Sequence, residues 1–77
     1  MTRILGIDPG SRKTGFGIVE TDGNSMHYMT SGVIKLPVNE SLAARLKVLA
    51  ESLDQIISEY QPTLAVIEQV FMAKSAD

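Results

Sequence analysis

The sequence contains no cysteine, which excludes a disulfide framework, a thiolate zinc site and cysteine nucleophile chemistry. It also lacks an excess of positive charge: seven Lys/Arg stand against nine Asp/Glu, for a formal charge of −2. A uniformly basic nucleic-acid surface is thereby excluded, although a local basic patch is not. No apolar run approaches the roughly 20 residues needed to span a bilayer. The first residues do not follow the charged, apolar, small-residue order of a secretory signal. The expectation is a soluble, cytoplasmic protein without membrane contact. No repeat, low-complexity tract or linker divides the chain, so residues 1–77 read as one unit. Its composition is globular, 44% hydrophobic and 21% charged. A chain of this size buries only about 60% of its unfolded surface, so its core is marginal.

Arg3 to Asp8 reads as a strand, with Ile4, Leu5 and Ile7 in a short apolar run that stops at the turn signal Asp8-Pro9-Gly10. A second strand is expected over Gly15 to Thr21, closed by Asp22-Gly23-Asn24, which suits a tight antiparallel connection. Met26 to Lys35 reads as a third. The period then changes. Leu42, Leu46, Leu49, Leu53, Ile56, Ile57 and Tyr60 recur at helical spacing, with Asn39 or Ser41 as the cap and Pro62 as the stop. Leu64 to Ile67, ending at Glu68, has the unalternated apolar pattern of a central parallel strand covered on both sides.

A strand, helix and strand in one sheet imply a right-handed crossover and parallel strands. The first and last strands are the apolar ones and are expected to be neighbours. Each ends in a carboxylate, and parity puts Ile4, Gly6 and Asp8 on one face and Leu64, Val66 and Glu68 on one face. Both acids then lie at the carboxyl edge, where open α/β sheets bind ligands. One helix covers one face of such a sheet, so the other face is expected to be buried by further chain or by a partner.

Two carboxylates facing one another repel, and a cation between them relieves this. Their oxygens suit a hard ion, Mg²⁺ or Mn²⁺, held partly by water and substrate phosphate. Such ions serve phosphodiester cleavage. The turn after Asp8 adds Gly10, Gly15 and Gly17, which permit close backbone approach, and the hydroxyls of Ser11 and Thr14. Arg12, Lys13 and Lys74 flank the same edge as phosphate contacts. Phe71 reads either as a core residue of an incomplete domain or, if exposed, as an aromatic placed to stack on an unpaired base. His27 reads as surface, and Tyr28 and Tyr60 as partial core.

GIDPGSRKTGFGIVE at 6–20, EYQP at 59–62 and AVIEQVFMAKSAD at 65–77 closely resemble the amino-terminal part of the bacterial RuvC Holliday junction resolvase family. The resemblance implies a ribonuclease H-like mixed sheet: three antiparallel strands, then a helix and a parallel strand. On this reading, residues 1–77 are the amino-terminal part of a single nuclease domain. It further implies a homodimeric, Mg²⁺-dependent endonuclease that nicks four-way DNA junctions in recombination and repair, with branch-migration proteins as partners. Asp8 and Glu68 match the family's metal-binding acids, and Phe71 matches the aromatic that acts at the junction bases. Family members are about twice as long, and a carboxy-terminal helix supplies two further acids, so this chain alone is expected to be catalytically poor. Two other readings compete: an actin-like or sugar-kinase-like ATP-binding half-domain, which also opens with a strand, Asp, Gly and a hydroxyl-bearing turn, and a non-catalytic interaction module using the uncovered sheet face.

Overall fold

The computed structural model describes residues 1–68. Three strands come first, β1 (Thr2–Asp8), β2 (Lys13–Thr21) and β3 (Met26–Lys35). A helix, α1 (Leu42–Tyr60), and a last strand, β4 (Leu64–Ile67), follow. The four strands form one sheet in the order β3-β2-β1-β4, with β1–β2 and β2–β3 antiparallel and β1–β4 parallel. Lys13 and Thr14 join β2 because the ladder with β3 continues to the Lys13–Lys35 pair, two residues beyond the start that Gly15 suggests. Opposite Ile18 and Val19 the register shifts, leaving Met29 as an extra residue on β3.

Alternation gives the sheet two chemically different faces. On one lie Arg3, Leu5 and Ile7 of β1, Thr14, Phe16 and Ile18 of β2, and Ile34 of β3. Leu5, Thr14, Ile18 and Ile34 are the buried residues among those described. The helix covers this face. It is tied down at one end by the Arg45 Nη1 donating to the Ser11 carbonyl at 3.2 Å. At the other end, the Arg3 guanidinium donates to the Tyr60 carbonyl and to Glu20 Oε2, the latter at 2.7 Å.

Ser41 is the N-cap. Its extended backbone and its Oγ, which accepts from the Ala44 N–H at 3.1 Å, choose it over Asn39. The helix closes at Gln61, in the left-handed region, whose N–H bonds the Ile57 carbonyl at 2.8 Å. Pro62, having no N–H, does not extend it.

Two expectations change. The half-buried side of α1 is Ala44, Arg45, Val48, Leu49, Ser52, Leu53, Ile56 and Tyr60, rotated from the leucine stripe. Leu42 and Leu46 are 63% and 54% exposed. The expected stripe thus keeps Leu49, Leu53, Ile56 and Tyr60 on the half-buried side and leaves Leu42, Leu46 and Ile57 exposed. Strand β4, expected to be covered on both sides, is the sheet edge and exposed along its length, with Ile67 at 68%. One helix is too narrow to reach across β2 and β1 to β4 as well. Tyr28 is exposed, not partial core, and its hydroxyl pairs with Ser31 Oγ at 3.1 Å. His27 is at the surface as expected. Among the described residues, no helix is long and apolar enough to cross a membrane.

Candidate metal and phosphate site

The face away from α1 carries the two candidate acids. The parallel register pairs Ile4 with Leu64 and Gly6 with Val66. Two residues further along each strand are Asp8 and Glu68, and the Glu68 N–H continues the ladder by bonding the Ile7 carbonyl at 2.9 Å. Both acids are exposed, and both line one shallow depression of about 420 Å³. Gly6, Gly15, Gly17 and Val66 contribute to its walls and floor.

The glycines divide into two kinds. A Cβ at Gly10 would stand 2.5 Å from the Lys13 carbonyl oxygen, so the turn itself demands glycine there. At Gly6, Gly15 and Gly17 an added Cβ would make only ordinary contacts of 3.9–4.0 Å. Nothing within the described residues requires glycine at these three positions. Their effect is to leave the open face bare where Asp8 and Glu68 stand.

A second depression, of about 430 Å³, adjoins the first and shares Asp8 and Gly15 with it. Pro9, Gly10, Ser11, Arg12, Lys13 and Val33 complete its lining. The turn is braced from behind, since the Leu36 N–H donates to the Arg12 carbonyl at 2.9 Å and Arg45 holds the Ser11 carbonyl. Ser11, Arg12 and Lys13 are therefore brought beside Asp8, on the exposed side of a supported loop.

Thr14 is not brought there. It is fully buried on the opposite, helix-covered face, and its Oγ1 has no hydrogen-bond partner. Alternation is the reason: once β2 begins at Lys13, Lys13 faces out and Thr14 must face in. Phe71 and Lys74, also expected at this edge, lie outside the described residues. Lys35, which sequence reasoning did not single out, is set directly opposite Lys13 by the pairing of β2 with β3.

The donor set fits a hard, partly hydrated cation: carboxylate oxygens from two adjacent strand ends, without nitrogen or sulfur competitors. Among the described residues no group of three or more His, Asp or Glu side chains is assembled. That leaves part of a coordination shell to water, phosphate or further acids.

An α/β sheet of order β3-β2-β1-β4, with its helix crossover between strands β3 and β4 and an acid at each carboxyl end of the parallel pair, is of the ribonuclease H-like class. Comparison with known proteins narrows this. The profile of the family described as "Crossover junction endodeoxyribonuclease RuvC" matches residues 4–77, and the chain belongs to that family. A protein of that name from Teredinibacter turnerae is 52% identical over 80 residues, covering 99% of this chain and 45% of the relative. The one from Sodalis glossinidius is 53% identical over 77 residues, covering 100% and 44%. The structure of Thermus thermophilus RuvC in complex with a Holliday junction substrate superposes with a TM-score of 0.81, at 22% identity over 96% of this chain and 46% of that one. The chain thus spans less than half the length of the relatives it matches.

Proposed function

We propose that this chain is the amino-terminal portion of a metal-dependent endonuclease that resolves four-way DNA junctions by phosphodiester hydrolysis, in recombination and repair. The reading is carried by one observation: Asp8 and Glu68 end adjacent parallel strands on the same face and line one depression. Family membership and the names of the relatives supply the substrate class. Asp8 and Glu68 would hold Mg²⁺, with Mn²⁺ as the alternative, and the ion would activate a water and stabilise the leaving oxygen.

The chain's own residues do the rest. The bare positions at Gly6, Gly15 and Gly17 let a sugar-phosphate backbone approach the acids without meeting a side chain. Ser11, Arg12 and Lys13 contact phosphates beside the site, and Arg45 keeps their loop in place through the Ser11 carbonyl. Phe71 stacks on an unpaired junction base and Lys74 contacts the backbone. The part of the relatives that this chain does not span supplies the remaining acids and the homodimer contacts, and branch-migration proteins act beside the dimer. Alone, the 77 residues are catalytically poor. An ATP-binding half-domain accounts for the turn after Asp8 but gives Glu68 no task, and the register with Asp8 favours the nuclease.

In a family-length protein carrying this segment, Asp8→Asn and Glu68→Gln each lower junction cleavage by at least about a hundredfold, the upper range for residues that only support a metal ligand. Junction affinity stays within about threefold of the unaltered protein, because neither acid attracts phosphate. Ordinary nicking rates in either variant contradict the proposal.

A further inference from the structure

Lys13 and Lys35 are direct partners in the β2–β3 ladder. Thr14 and Ile34, the next pair, are buried under the helix, so parity sends both lysine side chains out of the open face, the one that carries Asp8 and Glu68. Like charges directly opposite one another in a sheet are destabilising. Neither lysine is paired with a carboxylate among the described residues, where the ion pair is Arg3 with Glu20. Folding alone therefore does not explain two exposed ammonium groups at this rung.

Their position relative to the acids is regular. Asp8 pairs with Gly15, and Gly15 with Val33, so the acid's rung lies two residues from the lysines' rung. At a strand rise of about 3.4 Å per residue the two rungs are roughly 7 Å apart. Asp8 and Lys13 line the second depression together, and Lys35 stands beside it as the ladder partner of Lys13. An anionic chain crossing the glycine floor toward Asp8 would pass this pair of cations within a nucleotide or two of the acid site.

We propose that Lys13 and Lys35 form a two-lysine clamp for a backbone phosphate of the DNA strand that enters the acid site. This rests on the nuclease reading and adds to it a residue, Lys35, and a direction of strand entry: over β3 and β2 toward β1. The contact is electrostatic and carries no base specificity.

The test is the salt dependence with which a family-length protein carrying this segment binds a synthetic four-way junction, by fluorescence anisotropy without divalent ions, between about 50 and about 200 mM KCl. Lys35→Gln lowers the slope of log affinity against log salt by about 0.9, which corresponds to roughly eightfold weaker binding near 0.1 M salt. Lys35→Arg keeps the slope. Lys47→Gln, which removes an exposed charge on the helix, leaves it unchanged. The melting temperature of Lys35→Gln is equal or higher, since a like-charge pair is removed. A Lys35→Gln slope equal to that of the unaltered protein overturns the clamp while leaving the nuclease reading intact. Failure of the unaltered protein to bind the junction overturns both.

Discussion

Gln61 sits at φ 49°, ψ 57°, the left-handed conformation that lets its N–H close the last turn of α1. For a residue with a Cβ this conformation costs about 1–2 kcal/mol, and glycine adopts it freely at some cost in unfolded-state entropy. Gln61→Gly is therefore expected to stabilise the fold by about 0.5–1 kcal/mol. The denaturant midpoint should rise with an unchanged m-value, and a lower midpoint would show that the Gln61 side chain has a stabilising role. At this scale the sequence is an uneven guide. Asp8 and Glu68 were readable because each ends an apolar strand. Thr14 was misread and Lys35 passed over for the same reason: neither is placed until the register of β2 is known. Moving the start of that strand from Gly15 to Lys13 assigns both.

The β2–β3 connection shows how an element can be read from its turn chemistry. Asp22 Oδ1 accepts the N–H of Asn24 at 2.9 Å and of Ser25 at 3.0 Å, while Gly23 takes φ +97°. The Asn24 N–H first, and then that of Ser25, holds the Asp22 carboxyl below its ordinary value of 3.8. Since the folded value is the lower one, the turn's stabilisation is present above pH 3.8 and is lost as pH falls through the depressed value. Amide exchange at Asn24 and Ser25 should accelerate over that acid window, and the dependence should disappear in Asp22→Asn. Exchange rates that follow only the intrinsic pH dependence would contradict this. The helix was readable in extent and stop but not in phase. The expected stripe and the half-buried side share Leu49, Leu53, Ile56 and Tyr60, and only docking decides that Arg45, Val48 and Ser52 face the sheet rather than Leu42 and Leu46. The apolar run of β4 implied cover on both faces, yet the single helix leaves Ile67 exposed.

At the scale of the molecule, the sheet is a platform with a helix beneath and, above, an open face that carries Asp8 and Glu68. Leu64, Val66 and Val33 share that surface with the acids and are exposed, as expected for a sheet with helical cover on one face only. The chain spans less than half the length of the relatives it matches. The proposed function depends on Asp8 and Glu68 acting on one cation. Mn²⁺ titration of the isotopically labelled protein, followed by paramagnetic broadening of backbone amides, tests that dependence. The account predicts that resonances of Asp8, Gly15 and Glu68 broaden first and together, and that Asp8→Asn abolishes the effect at all three. Broadening that starts elsewhere, or that survives at Glu68 unchanged in Asp8→Asn, would mean that the two acids do not share a metal.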